Sequence, residues 1–185
     1  MKKKVAVASV MVLLGAVAIV IADGGFKKIR EFLRGFEEVP AVSTVADGEF
    51  RARISSDQTQ IQWELSYSDL ESAVQQAHIH LGQKDVNGGI SVFLCTNLGN
   101  GPAGTQPCPP SPATISGTIT AAHVSPPIPA TLAARNQGLN TGELDELIRA
   151  IRAGKTYVNV HTTDRPGGEI RSQINHDEGH DHDGQ

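Results

Sequence analysis

Hydrophobic and polar positions alternate with a period of two through most of this chain, and each alternating run predicts a β-strand. Phe50, Ala52 and Ile54 alternate with Glu49, Arg51 and Arg53, and after Ser55-Ser56-Asp57-Gln58 the pattern resumes in Ile61, Trp63, Leu65 and Tyr67. Two such runs around a short polar turn predict a hairpin. Trp63 belongs to its core, since it stays in register with aliphatic neighbours. Ala73 to His80 predicts the next strand, Gly82 to Gly89 a polar turn, and Ile90 to Cys95 a short apolar strand. The Gly/Pro-rich stretch from Asn97 to Pro112 reads as loop, and Thr114 to Thr120 as a further strand. One helix is predicted: Asn140 can cap it, Leu144, Leu147, Ile148 and Ile151 form a single face, and Gly154 suits its C-terminal stop. That apolar face should cover an open edge or end of the sheet. Nearer the N-terminus, Phe26, Ile29, Phe32, Leu33 and Phe36 recur at helical spacing, yet Gly35 and Pro40 interrupt a long helix. A short helix and a first strand both remain open there.

The last two runs form a hairpin of special interest. Tyr157, Asn159 and His161 share one face, Val158 and Val160 the other, and the turn runs through Asp164-Arg165-Pro166-Gly167-Gly168. Ile170 and Ile174 should join the valine face, which leaves Glu169, Arg171 and Gln173 beside His161 on a polar surface. A five-residue turn sets His161 opposite Arg171. A register shifted by two sets Glu169 there instead.

Composition changes the picture at the N-terminus. Met1-Lys2-Lys3-Lys4 precedes an apolar or small run from Val5 to Ala22, the layout of an export signal with cleavage after Ala22. The run of 18 residues also reaches the lower limit of a membrane span, so a retained anchor is the alternative. Cleavage leaves 163 of the 185 residues, one domain, free of the membrane. Losing three lysines takes the formal charge from −4 to −7, which disfavours nucleic acid as a partner. Secretion or a periplasmic location suits the two cysteines, Cys95 and Cys108, which are expected to form a disulfide across the turn-rich loop. Closing that loop is worth about 3 kcal/mol on the chain-entropy argument.

The candidate chemistry lies in His78-Ile79-His80 and His161. Residues two apart on a strand point to the same face, so both imidazoles of the His-x-His pair can aim at one ion while Ile79 packs behind. With His161, three imidazoles suffice to hold zinc or copper and leave a position open. Two free thiols or metal ligands are the competing reading of Cys95 and Cys108, disfavoured by a spacing far longer than a zinc knuckle's. Hydrolase chemistry is not indicated, since no Gly-x-Ser-x-Gly elbow occurs. The competing reading takes these histidines as ordinary residues of an exposed sheet and Arg171 with Glu169 as a register-pinning pair.

Several segments together resemble the CHRD domain, a module named for chordin that also occurs alone in exported bacterial proteins. They are Phe32-Leu33-Arg34-Gly35-Phe36-Glu37-Glu38-Val39-Pro40, Ala77-His78-Ile79-His80, Lys155 to Thr162, and Pro166-Gly167-Gly168-Glu169-Ile170-Arg171. The resemblance runs from Ile29 to Ile174. It implies a mainly β fold, an immunoglobulin-like or superoxide-dismutase-like antiparallel sandwich or barrel with one short helix, and no settled biochemical function. The chain then divides into a signal over 1–22, a linker over 23–28, a CHRD domain over 29–174 and a flexible tail over 175–185.

Through the dismutase likeness, His78, His80 and His161 resemble copper ligands and Arg171 an anion-guiding arginine. His123 is a fourth ligand only by elimination, and no second, zinc-binding cluster is present. The expectation is one copper, iron or zinc ion, with a superoxide-related redox role. The alternative is a non-catalytic extracellular or periplasmic module that binds a protein or an envelope component. Separately, His176, His180 and His182 lie among Asp177, Glu178, Asp181 and Asp183 in a tail suited to weak metal capture.

Overall fold

Eight antiparallel strands form one sheet in the computed structural model, which describes residues 28–175. The strands are β1 (Lys28–Arg34), β2 (Asp47–Ile54), β3 (Ile61–Ser68), β4 (Val74–Leu81), β5 (Gly89–Thr96), β6 (Ala113–Ile119), β7 (Thr156–Thr162) and β8 (Ile170–Ile174). The expected signal and the tail histidines His176, His180 and His182 lie outside the described residues, as does all of the expected linker except Lys28. Among the described residues no helix is long and apolar enough to cross a membrane.

The strand order β5-β4-β7-β8-β1-β2-β3-β6 curls into a nearly closed barrel whose edges are β5 and β6. The loop between those edges fills the seam. Gln106 donates its side-chain amide to the carbonyl of Leu94 on β5 at 3.1 Å and to that of Ser116 on β6 at 3.2 Å. The disulfide between Cys95 and Cys108 ties the same loop to β5.

Alternation decides which side chains fill the interior. Phe50, Leu65, Ile79, Val158, Val160, Ile170 and Ile174 are buried in a single core, and Trp63 is buried with them. In β1 the helical spacing is a coincidence of sequence: Ile29 and Leu33 point inward, while Phe32 is 52% and Phe36 74% exposed. The expected helix is α2 (Leu144–Arg152), and its four apolar residues join the same core. Arg152 on its last turn donates to Gln58 in the β2–β3 turn at 3.2 Å, so the helix covers that end of the barrel. Asn140 does not cap it. Glu143 holds the N-cap position, and its carboxylate accepts from the Asn140 backbone N–H at 2.7 Å. A second short helix, α1 (Leu132–Asn136), was not foreseen. It packs so close to β5 that a Cβ on Gly89 would lie 2.1 Å from the Ala134 nitrogen, a contact with no local signature.

Candidate metal centre

The face of β4, β7 and β8 that turns away from the barrel core carries His78, His80, Tyr157, Asn159, His161, Arg171 and Gln173. It is not the open polar surface that alternation alone suggests, because every one of these residues is buried. Two loops cover it. The first, residues 82–88, is held by Gln173 Nε2 donating to the Gly82 carbonyl at 2.9 Å and by Arg171 Nη2 donating to the Val86 carbonyl at 3.0 Å. The second, around Glu38 and Val39, is joined to the first by Asn87 Nδ2 donating to the Val39 carbonyl at 2.8 Å.

Cross-strand pairing sets who meets whom. His80 lies opposite Tyr157 and His78 opposite Asn159, while Asn159 also faces Arg171 across β8. Asn159 rather than His161 lies opposite Arg171, and the ladder ends at Val160↔Ile170, where Glu169 N donates to the Val160 carbonyl at 2.8 Å, so neither Arg171 nor Glu169 pairs with His161. Two bulges on the β4–β5 side, between Ala77/His78 and Ile79/His80, set Phe93 opposite His78. Its ring packs edge-on against the imidazole with centroids 4.4 Å apart. Bulges of this kind commonly re-aim side chains beside sites.

His78, His80 and His161 converge, each offering one ring nitrogen, with all three atoms within 4.8 Å of one another. The outer hydrogen bonds determine the tautomers. A carbonyl only accepts, so His80 donates Nδ1–H to Gly88 O at 2.9 Å and His161 donates Nδ1–H to Pro166 O at 2.9 Å. Each is left with a lone pair on Nε2. This outer fixing of the ring is what metal-bound histidines require. His78 Nδ1 lies 3.3 Å from His161 Nε2. Two nitrogens bonded to one tetrahedral ion at ~2.0–2.1 Å are about 3.3–3.4 Å apart, so this pair already has the spacing. The widest separation in the trio has to close by no more than about 1.5 Å. The Nε2 atoms of His78 and His80 are buried without a hydrogen-bond partner.

Burial also sets the charge. Desolvation brings His80 down to about 3 and His161 down to about 4, and it carries His78 well below the usual histidine range. Three neutral imidazoles therefore face one another, and although His78 Nδ1–H donates to the lone pair of His161 Nε2 in the metal-free chain, that proton is exchangeable to Nε2, an arrangement suited to a cation.

Arg171 is 1% exposed. Its guanidinium lies over the Tyr157 ring, 3.4 Å from the centroid, and its Nη1 donates to Asn87 Oδ1 at 3.2 Å. His80 stacks on the same ring with centroids 4.6 Å apart. Since β4 and β8 flank β7, the imidazole and the guanidinium take opposite faces of Tyr157. As placed, Arg171 serves the covering loop rather than the solvent. Glu169 faces away from the trio: its carboxylate accepts from Thr44 Oγ1 at 2.9 Å, Glu71 N at 3.0 Å and Thr162 Oγ1 at 2.6 Å. His123 is exposed, and its Nδ1 accepts from the Thr120 backbone N–H at 3.1 Å, so it stands apart from the cluster.

Glu38, to which sequence reasoning gave no role, is 5% exposed and reaches the same face. Its Oε1 accepts from Asn159 Nδ2 at 3.3 Å. Burial raises its carboxyl to about 7, against the opposing pull of Asn159 and then Arg171. The acidic pair ahead of Pro40 was the visible hint, but nothing local indicates that the second carboxylate turns inward.

Among protein-family models, the CHRD domain matches residues 31–174. No curated protein and no solved structure matches the chain.

Proposed function

This chain belongs to the CHRD domain family, and from that premise we propose that it is an exported protein holding one transition metal ion through His78, His80 and His161. The observation that carries the reading is the convergence of three buried, neutral imidazoles on one point, two of them with their second nitrogens fixed by backbone carbonyls. Copper, iron and zinc all accept such a donor set. The ion would supply an open coordination position for a small ligand, and redox chemistry where it is copper or iron, zinc having none. The superoxide-related role rests on the dismutase likeness, and export on the lysine-led apolar N-terminus together with the disulfide. Arg171 acts here by clamping loop 82–88 over the site, so that Gly88 stays in place against His80.

Elemental mass spectrometry tests the reading on the full chain with His176, His180 and His182 replaced by alanine to silence the tail. About one copper, iron or zinc per chain is expected, and its loss in the added His78→Ala/His80→Ala/His161→Ala variant. A folded parent that takes up none of the three ions refutes the reading. In that case the exposed Phe32, Phe36 and Val45 would favour the second reading, a module that binds a protein or envelope component.

A further inference from the structure

Asn159 sits in the middle of the candidate site, directly opposite His78 and two residues before His161 on the same face. It is 2% exposed, and its Oδ1 is buried with no hydrogen-bond partner. An orphaned buried carbonyl oxygen is costly in a folded protein and calls for a partner. The rest of the amide is held. Its Nδ2–H donates to Glu38 Oε1 at 3.3 Å, which leaves Oδ1 free, and the side chain lies close enough to His80 to act on that imidazole. His80 Nε2 is itself an orphan. With His80 Nδ1 donating to Gly88, that nitrogen carries a lone pair, so the two neighbours are both acceptors and cannot satisfy each other. A cation satisfies both.

Gly168 completes the arrangement. A Cβ there would lie 2.1 Å from Glu38 Oε1 and 2.8 Å from Asn159 Nδ2, so only a glycine leaves room for this contact. Glu38, Asn159 and Gly168 come from three separate segments of the chain.

Resting on the three-histidine reading, we propose that Asn159 is the fourth protein donor to the ion, through Oδ1, and that Glu38 is the residue that positions its amide. A carbonyl oxygen is a harder donor than imidazole. Its addition to three imidazoles favours a divalent ion, copper(II), zinc(II) or iron(II), over copper(I).

The test is copper(II) titration of the tail-silenced full chain, read by affinity and by the copper hyperfine coupling in electron paramagnetic resonance. Asn159→Leu should weaken binding about 10- to 100-fold and change the coupling. Glu38→Gln, which keeps an acceptor but lets the amide turn over, should change the coupling with a smaller loss of affinity. Unchanged affinity and coupling in both variants overturn the proposal, while the metal reading survives if the triple-histidine variant alone loses the site. A parent that binds no copper(II) overturns both. Should Asn159→Leu fail to fold, zinc(II) added to the 15N-labelled parent decides the matter: the Asn159 side-chain amide resonance must move, and one that stays put overturns the proposal.

Discussion

Replacing Arg171 by methionine distinguishes a loop clamp from an anion guide. The side chain is 1% exposed and donates to Val86 O at 3.0 Å, Asn87 Oδ1 at 3.2 Å and, more weakly, Gln83 O at 3.4 Å. Hydrogen bonds from a charged donor are worth roughly 1.5–3 kcal/mol each, and a desolvated cation–π contact about 2 kcal/mol. Methionine recovers part of the packing, and the loop carbonyls regain some water. The expected loss is therefore about 4 kcal/mol, within the range for removing one member of a buried charged network. For a domain of this size that corresponds to a fall of ~8–16 °C in melting temperature. Arg171→Lys keeps the charge but not the planar fork, and should lose about half as much. The assay is urea unfolding followed by fluorescence of Trp63, the single tryptophan and a core residue. A methionine variant within about 1 kcal/mol of the parent would refute the clamp. Strongly salt-dependent entry of small anions, lost in that variant, would restore the guiding role.

Acid should destabilise the metal-free protein. His80 and His161 have folded values of about 3 and about 4, so the unfolded chain binds more protons below the ordinary histidine value of 6.5, and stability falls with pH. Glu38, raised to about 7 from 4.5, works the other way and loses its contribution as pH rises through that window. Two histidine protons against one carboxyl proton leave a net loss of about 1.4 kcal/mol per pH unit between roughly pH 6.5 and 4.5. His78 adds to it, so unfolding free energies flat across that window would contradict the buried neutral trio. Gly168→Ala should cost about 3 kcal/mol, because φ at +128° is strained for alanine and its Cβ would displace Glu38 from Asn159. Thermal melts check this, and an unperturbed midpoint would show that the carboxylate can move aside freely. Cys95→Ala/Cys108→Ala should lose about 3 kcal/mol by urea unfolding, the entropy of a loop closed over 13 residues. A difference below about 1 kcal/mol would mean that Gln106 and its neighbours hold the barrel seam without the covalent tie.

Strand existence and strand faces were legible in the sequence, since a period of two is a local property of the backbone. His78 and His80 had to share a side with Ile79 behind them, and Tyr157, Asn159 and His161 had to share theirs. The disulfide was equally legible from two cysteines flanking one turn-rich loop behind an expected export signal. Register was not. Residues 163–169 make successive tight turns rather than one five-residue loop, with Gly168 N donating to Arg165 O at 3.0 Å, and this set Arg171 opposite Asn159 and turned Glu169 away from His161. Nor could alternation tell a solvated polar face from a buried one. A strand face is polar in both cases, and only the arrival of residues 82–88 and of Glu38, 121 positions from Asn159, took water away from it. That removal of water matters most for the chemistry. It keeps the three imidazoles neutral and leaves the lone pairs of His80 and Asn159 unpaired. It also ties the guanidinium of Arg171 to the loop above it. Local pattern assigned the donors to one face, and long-range packing made that face a place where a cation is wanted.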